Sequence, residues 1–457
     1  MIAAPTPAPV GAVGGPAMIP APAGAARGRS AREEARAGLY IHVPFCATRC
    51  TYCDFSSGAL SAAAVERYLD ALEREIALRA PLAGSLAFTS VFFGGGTPSA
   101  LSARHFRRVW RALSASFTIA QGAEITLEAN PESVRPALLD AWAEAGVNRL
   151  SMGAQSFVPE ELEALGRIHS AERPAGAFAD ARAHGFRRLS VDLMFGFPGH
   201  TPERWRHTVE TALALEPEHL SAYCFIPEPG TPLGNAVLSN RQALPTAEEQ
   251  AVSYEALAGW IEPEGYVAYE TSNFCRADGE ARHNLVYWLR RPYAGLGPSA
   301  HGLLNGERYG NHYALERWAG ALEAGVPCEA ERESGDDGTS ALEVMMLGLR
   351  LADGLDRHDY APHTWAAVER RYAQAFAHAL ATGRLEATAH GVRIRRAHAF
   401  LADDVIAWIE ARADRVPVGP RGAREERTAS TFDASANRTF STTRGAARGL
   451  TVAGNTP

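Results

Sequence analysis

The chain has 457 residues and a formal net charge of −7, and all 45 of its cationic residues are arginine. Apolar residues make up 46% of it and charged residues 21%, as in soluble globular proteins, so it can bury a large core without disulfide support. The acidic balance is atypical of nucleic-acid-binding proteins, and we expect no nucleic-acid partner. No apolar run approaches the ~20 residues that cross a bilayer, so we expect no transmembrane segment and at most peripheral membrane contact.

Composition divides the chain into five segments. Residues 1–36 are rich in alanine, proline and glycine, residues 413–457 are rich in arginine, serine, threonine and glycine, and neither shows apolar periodicity. We expect both to be disordered, because they cannot bury enough apolar surface to offset the entropy lost on ordering. Between them we expect a core domain over 37–234, an extension over 235–335 and a mainly helical C-terminal domain over 336–412.

Short apolar strands alternate with helices in the core domain. The strands are predicted at 38–43, 88–93, 124–128, 147–152, 187–194 and 219–225. Six strand–helix alternations predict an α/β fold, in which a parallel sheet is open or curled into a partial barrel with helices outside it. Ligand sites in both arrangements lie at the carboxyl ends of the strands. Distinctive residues occur in or just after five of these strands: Cys46, Gly94–Pro98, Glu128 with Asn130, Gln155 and Asp192.

The helices between and after these strands are predicted from apolar residues at helical spacing. The first opens at Ser61, a residue type that caps helices, and others are predicted within 134–145, 159–184, 202–215 and 246–263. The chain from 339 to about 409 is predicted to be mostly helical, with a short strand at 391–395.

Three of the six cysteines lie within eight residues, in Cys46-Ala-Thr-Arg-Cys50-Thr-Tyr-Cys53. Thiolates are the usual ligands of iron–sulfur clusters, and three on one loop can hold three irons of a 4Fe-4S cluster and leave the fourth open to a small molecule. The alternative is a zinc site, but structural zinc has four ligands, and no fourth Cys or His stands at a suitable spacing. Such a cluster also indicates a reducing compartment, and we expect a cytoplasmic protein.

The residues at the other strand ends are suited to binding a polar molecule. The glycines of Gly94–Pro98 let the backbone approach a ligand, although a tight turn is the alternative. Glu128 and Asp192 can accept hydrogen bonds from ribose hydroxyls or an amino group, and the alternative for each alone is a salt bridge at the barrel rim. Gln155 adds an amide. Arg167 suits a carboxylate, because a guanidinium is a planar bidentate donor.

Motifs across 38–410 resemble those of oxygen-independent coproporphyrinogen III dehydrogenases and their relatives, which are radical SAM proteins. They are Tyr40-Ile-His-Val-Pro-Phe-Cys46, Tyr52-Cys53-Asp54-Phe55, Phe92-Phe-Gly-Gly-Gly-Thr-Pro98, Glu128-Ala-Asn-Pro131, Asn148-Arg-Leu-Ser-Met-Gly153, Gln155-Ser-Phe157, Leu165-Gly-Arg-Ile-His169, Asp192-Leu-Met-Phe-Gly196, Glu228-Pro-Gly-Thr231 and Gly295-Leu-Gly297. The resemblance implies a partial (β/α)6 barrel with a mainly helical C-terminal domain, a 4Fe-4S cluster on Cys46, Cys50 and Cys53, bound S-adenosylmethionine (SAM) and an electron donor for the cluster. Carried over by motif, the SAM-binding residues are Tyr40, Tyr52, Gly95, Gly96, Thr97, Glu128, Gln155, Arg167 and Asp192.

Two features resemble the HemW-type branch, whose members are heme chaperones. The dehydrogenases have a fourth cysteine two residues after the third, where this chain has Phe55. The run His283-Asn284-Leu-Val-Tyr287-Trp288 resembles the heme-binding motif of the branch, which implies that His283, Asn284 and Tyr287 bind heme. A neutral imidazole is a good axial ligand for heme iron. The alternative is that His283 is a structural histidine.

The sequence is therefore compatible with two alternative functions. The first is a heme chaperone that binds heme, the cluster and SAM and delivers heme to an acceptor protein. The second is an oxygen-independent coproporphyrinogen III oxidase, which would use reductive SAM cleavage for the oxidative decarboxylation of propionates in porphyrin biosynthesis. Phe55 and His283 favour the first, and the complete cluster and SAM constellation is compatible with both.

Overall fold

A computed structural model describes residues 30–413. The greater part of the two tails that we expected to be disordered, residues 1–29 and 414–457, lies outside the described residues. Residues 30–36 are described and include a helical turn at 30–34. Ala35 is completely buried and the Arg32 guanidinium bonds Asp359, so the ordered body begins before residue 37, where we had expected it to begin.

The described residues form seventeen strands. They are β1 (Gly38–Val43), β2 (Phe45–Cys46), β3 (Gly58–Ala59), β4 (Phe88–Gly95), β5 (Ile119–Ala129), β6 (Arg149–Gln155), β7 (Arg188–Phe195), β8 (His219–Cys224), β9 (Val267–Ala268), β10 (Asn273–Cys275), β11 (Tyr293–Leu296), β12 (His301–Leu304), β13 (Glu307–Asn311), β14 (Glu329–Ser334), β15 (Leu355–Asp356), β16 (Leu385–Ala387) and β17 (Gly391–Ile394).

The α-helices begin after β3. They are α1 (Ala62–Ala83), α2 (Ala103–Ser116), α3 (Pro136–Glu144), α4 (Pro159–Ala164), α5 (Arg173–Ala183), α6 (Pro202–Leu213), α7 (Pro232–Leu238), α8 (Ala247–Ile261), α9 (Arg282–Trp288), α10 (Leu315–Glu323), α11 (Asp337–Gly348), α12 (Pro362–Ala381) and α13 (Ala402–Glu410). Ser61 caps α1 as predicted, since its side chain accepts a hydrogen bond from the amide of Ala64.

The main sheet contains the six predicted parallel strands in sequential order, β1-β4-β5-β6-β7-β8. The α/β class and the parallel sheet with helices are thereby confirmed. A seventh parallel strand, β11, pairs with the free side of β1, and antiparallel strands extend both edges, with β12-β13-β14 on one side and β10-β9 on the other. These additions come from the segment 235–335, where polar and aromatic residues obscure the alternation that marks a strand.

Side chains alternate along the parallel strands between the helices and the barrel interior. On β1, Leu39, Ile41 and Val43 join the large core cluster under the helices. Tyr40 faces the interior, where its ring stacks on Phe92 of β4. The outward side of the sheet is therefore a continuous apolar core, and the inward side is free to carry functional groups.

The C-terminal residues have a core of their own. The helices α11, α12 and α13 pack around a second cluster that includes Val344, Val368, Tyr372 and Ile406. A small sheet in the order β15-β17-β16 lies beside them, so the unit is mainly helical with a three-stranded sheet. The boundaries at residues 336 and 412 stay a prediction.

A buried charge network joins α1 to the extension. Glu75 is completely buried, and its carboxylate accepts hydrogen bonds from Gly297 N at 2.7 Å, Asn311 Nδ2 at 2.7 Å and Trp318 Nε1 at 3.1 Å. The Arg79 guanidinium lies 3.4 Å away. A buried carboxylate is tolerated only when it is paired and hydrogen-bonded in this way. Glu75 therefore holds β11 and β13 against the first helix.

We expect Glu75→Ala to destabilise the protein by about 3–5 kcal/mol, because it leaves several buried donors without their acceptor and removes one of the two carboxylates that pair with Arg79. The measurement is urea-induced unfolding of the full chain. Glu210→Ala is the matched control, since Glu210 also pairs with an arginine four residues away but on an exposed surface, where such a pair contributes less than about 1 kcal/mol. An equal decrease in the free energy of unfolding of the two variants would show that the buried network does not contribute more to stability than the exposed ion pair.

Candidate functional site

The three clustered cysteines lie on the loop between β1 and α1, at the carboxyl ends of the strands. Thr97 Oγ1 donates to Cys46 Sγ at 3.3 Å, and Arg167 Nη1 lies 3.4 Å from Cys50 Sγ. The loop is anchored by Tyr52, which is buried in a cluster with residues from the ends of α4, β7 and β8 and from α7: Leu165, Met194, Phe197, Phe225 and Leu233. The thiols are partly exposed, so the loop is held in place while its sulfur atoms stay accessible.

The three thiols are ligands of the kind that iron–sulfur clusters use. Within residues 30–413, no group of three or more His, Cys, Asp or Glu side chains is placed to hold one metal ion. In a 4Fe-4S cluster each thiolate binds a different iron, so its three ligands do not converge on one point. The donor set of Cys46, Cys50 and Cys53, three thiols on one loop, has the chemistry that a cluster requires.

A pocket opens beneath the cysteine loop. Its empty volume is about 690 Å³, part of it open to solvent. Most of the residues that we predicted for SAM line it together with the cysteines: Tyr52, Gly95, Gly96, Thr97, Glu128, Gln155, Arg167 and Asp192. The structure thus brings together residues from five strand ends, and their roles stay a prediction.

Two carboxylates, those of Glu128 and the buried Asp192, line this pocket and interact electrostatically. Glu128 Oε2 accepts from Gly95 N at 3.2 Å, and Asp192 accepts from Ser151 Oγ at 3.0 Å. Burial, and secondarily the charge of Asp192, raises the pKa of Glu128 to about 8. Because the amide of Gly95 is the one hydrogen-bond donor to Glu128 among residues 30–413, a cationic or hydroxyl-bearing ligand would supply a partner that these residues do not.

Gln155 and Arg167 also have polar atoms that lack partners. Gln155 has a left-handed backbone, with φ of 65°, which is uncommon for a residue other than glycine. Within the part of the chain that the structure describes, its buried Oε1 has no hydrogen-bond partner, and neither has Arg167 Nε, although Arg167 Nη2 donates to Asn130 and to Gly153 O. Buried polar atoms without partners in a pocket are suited to a ligand, since leaving them unpaired costs free energy.

Tyr40 lies next to the pocket without lining it. Its hydroxyl is 3.0 Å from His42 Nδ1, and His42 Nε2 is 2.9 Å from Ser56 O. A carbonyl only accepts, so Nε2 carries the proton and Nδ1 accepts from Tyr40. We did not single out His42 in the sequence, although its position two residues after Tyr40 on the same face of β1 was a usable signal.

The glycine run is required by packing of the protein itself. A Cβ at Gly95 would lie 2.7 Å from the ring of His42, and one at Gly96 would lie 2.8 Å from Phe45 O. Gly95 also has φ of 110°, which disfavours any side chain. The run therefore lets β4 lie against the cysteine loop, in addition to any approach to a ligand.

The predicted heme residues lie at the other end of the barrel. His283, on α9, is completely buried beside the amino end of β4. Its Nδ1 is 2.9 Å from Ser90 Oγ, its Nε2 is 2.8 Å from the Tyr287 hydroxyl, and its ring stacks on Phe92 with centroids 5.1 Å apart. Asn284 Nδ2 donates to the Tyr269 hydroxyl at 3.2 Å. Both ring nitrogens of His283 are thus occupied, as in the structural alternative.

Comparison with known proteins identifies the family. The model of the radical SAM superfamily matches residues 40–212. The heme chaperone HemW of Bacillus subtilis is 37% identical over 327 residues, which cover 70% of this chain and 85% of the relative. HemW of Mycobacterium tuberculosis is 36% identical over 70% of this chain and 82% of its own length. This chain belongs to the HemW family.

HemW-type proteins have relatives in animals and a shared fold with the dehydrogenases. A mitochondrial radical S-adenosyl methionine domain-containing protein 1 of Danio rerio is 36% identical over 70% of this chain and 74% of its own length. The Escherichia coli coproporphyrinogen III oxidase HemN superposes with a TM-score of 0.71 over 84% of this chain and 93% of its own, at 22% identity. Membership of the radical SAM superfamily implies a 4Fe-4S cluster and SAM. Among residues 30–413, no helix is long and apolar enough to span a membrane.

We expect Gly95→Ala to reduce cluster loading severalfold, because the added methyl group must displace His42 and strain a left-handed backbone. Iron per chain and the visible absorption of the anaerobically reconstituted protein measure the loss. Gly185→Ala is the control, since Gly185 has φ of 88° and no atom within 4 Å of an added Cβ. Full cluster loading in Gly95→Ala would contradict the packing requirement.

We expect Glu128→Gln to have opposite effects on stability and on SAM binding. The pKa of Glu128 is raised in the folded protein, so the stability associated with its protonated form is complete below the unfolded value of ~4.3 and is lost as pH rises through about 8. Without SAM, the variant should therefore melt like the parent at pH 5 and roughly 2–4 °C above it at pH 9. SAM affinity, measured by calorimetry, should fall at least ~10-fold. A difference in melting temperature between parent and variant that is the same at pH 5 and at pH 9 would contradict the raised pKa of Glu128.

Proposed function

We propose that this chain is a heme chaperone, which binds one 4Fe-4S cluster, SAM and heme and delivers the heme to an acceptor protein. The observation that carries the proposal is the extent of the match to proteins named heme chaperone HemW, which includes 85% of the Bacillus subtilis protein. Phe55, which stands where the dehydrogenases have a fourth cysteine, supports it. We further propose a cytoplasmic location and an electron donor for the cluster.

The cluster would be held by Cys46, Cys50 and Cys53, and SAM by the pocket beneath them. When bound, the cluster supplies one electron to SAM. Gln155 and Arg167 have buried atoms without partners in this pocket and would orient the polar groups of SAM. Glu128 and Asp192 would accept from its hydroxyl or amino groups. The buried Tyr40 supports the pocket through its hydrogen bond to His42.

Heme would be held at the base of the barrel by His283, Asn284 and Tyr287. The chemistry fits, because burial lowers the pKa of His283 to about 3 and so keeps the imidazole neutral, as an axial ligand must be. The observed geometry is closed, since both ring nitrogens are hydrogen-bonded. Ligation would therefore require His283 to give up its bond to Ser90 or to Tyr287.

The alternative function is that of an oxygen-independent coproporphyrinogen III oxidase. It is compatible with the HemN-like fold, but a 22% identical structure shows the fold alone. The fourth cysteine of the dehydrogenases is absent at position 55, and the curated relatives that match at 36–37% identity over most of their length are named chaperones. The alternative therefore has the weaker support.

Heme titration of the anaerobically purified full chain tests the proposal. We expect the Soret band of added hemin to shift in the parent protein, and His283→Ala to weaken binding at least ~10-fold. His219→Ala is a matched control, because His219 is equally buried and is hydrogen-bonded to a serine and a tyrosine in the same manner. Equal loss in both variants would contradict a ligand role for His283.

A turnover assay separates the two functions. The protein with an intact cluster is supplied with coproporphyrinogen III, SAM and a reductant, and the product is analysed for protoporphyrinogen. The chaperone proposal predicts no turnover and transfer of bound heme to an apo-acceptor. Sustained formation of protoporphyrinogen would overturn it.

A further inference from the structure

The base of the barrel is closed by the segment that carries His283. Arg149 Nη2 donates to Gly279 O at 2.6 Å, and the amide of His283 donates to Glu124 Oε1 at 3.2 Å. Arg149 is the first residue of β6, and Glu124 of β5 lies beside Ser90 near the amino end of β4. The helix α9 is therefore a plug at the end of the barrel opposite the cysteines.

The C-terminal helices hold this plug from outside. Glu343 of α11 pairs with Arg290, at 2.5 Å, and with Arg308, at 2.9 Å. Arg290 follows α9 directly, and the Arg350 guanidinium lies 5.9 Å from the Trp288 ring centroid. Displacement of α9 is thereby coupled to these charge pairs.

A molecule as large as heme can approach His283 only from the base. On the SAM side, the rings of Tyr40 and Phe92 fill the interior, and each is at most 4% exposed. They stack on each other and Phe92 stacks on His283, so no passage through the described interior leads from the SAM pocket to the imidazole. On the base side, only α9 and its neighbours intervene.

A second cavity lies at this base, beside the first residue of α9. Its empty volume is about 470 Å³, part of it open to solvent, and it is lined by Gly122, Glu124, Asn148, Arg187, Arg188 and Arg282. Glu124 is already bonded, since it lies 3.4 Å from Arg188 and accepts from the amide of His283. Arg187 is exposed and makes no ion pair with residues 30–413. Arg188 is paired with Glu124 and Arg282 with Glu34. Arg187 is therefore the guanidinium of this lining without an ion pair among residues 30–413, and it can bind a carboxylate in a bidentate manner.

We propose that this arginine pocket binds the propionate carboxylates of heme, and that heme iron reaches His283 when α9 moves away from the base. This inference rests on the proposed heme-binding function and deepens it, because it assigns the carboxylates to a site of their own. The displaced helix exposes apolar surface of Leu285, Val286 and Tyr287, now packed together under the barrel, to the faces of the macrocycle. The charged edge and the apolar faces of the ligand thus meet complementary groups.

The first test compares hemin with hemin dimethyl ester, whose propionates carry no charge. Each is titrated into the full-length parent, into Arg187→Glu and into the control Arg111→Glu, which makes the same charge change at another exposed arginine outside the described ion pairs. We expect the parent to prefer hemin at least ~10-fold, the preference to vanish in Arg187→Glu and to persist in Arg111→Glu. Equal affinities of the parent for both porphyrins, or equal behaviour of the two variants, would overturn the inference. If neither porphyrin binds the parent, the proposed function itself fails.

The second test addresses the movement of α9. Stopped-flow binding of hemin to the parent should reach a plateau rate at high hemin concentration, because opening precedes ligation. Glu343→Gln weakens the attachment of the plug and should raise the plateau severalfold, with the same final Soret spectrum as the parent. A rate that rises linearly with hemin concentration, or a plateau that is unchanged in Glu343→Gln while the variant keeps the parent's melting temperature, would overturn the gating step.

Discussion

The alternation of side chains along the parallel strands is the constraint on which the rest of the structure depends. Because Leu39, Ile41 and Val43 must face the helices, Tyr40 and His42 must face the interior. On the neighbouring strands the same alternation directs polar and aromatic side chains into the barrel interior, away from the apolar core under the helices. Strand direction then separates them into two ends, with the cysteine loop at the carboxyl ends and α9 at the amino ends.

Local patterns were sufficient for the parts of the protein that are local in sequence. Three cysteines on one loop, and polar residues after successive strands, predicted a pocket that the structure shows as one cavity. Contacts between distant segments carry no such signal. Nothing in the sequence near Tyr293 indicates that β11 pairs with β1, and nothing near Glu75 indicates that its partners lie at Gly297, Asn311 and Trp318. The burial of His283 likewise depends on Ser90, 193 residues away.

The carboxylates of Glu75 and Glu128 differ in how far the protein compensates their charge. Glu75 has three hydrogen-bond donors and an arginine, so its negative charge is compensated within the fold. Glu128 lies at the pocket wall near another carboxylate, and burial raises its pKa to about 8. A carboxyl group that the fold leaves undercompensated is destabilising unless a ligand completes its environment. The contrast distinguishes a structural residue from a binding residue more sharply than their positions in the sequence do.

The separation of the two ends also bears on what SAM can do in this family member. A reacting group must be within contact distance of the bond that it attacks. His283 and the SAM pocket are divided by the stacked rings of Tyr40 and Phe92, so heme bound at the base would lie out of reach of SAM. Cluster and SAM could then influence heme only by shifting this aromatic stack, since both ends contact it. The architecture accordingly favours a protein that carries heme over an enzyme that transforms it.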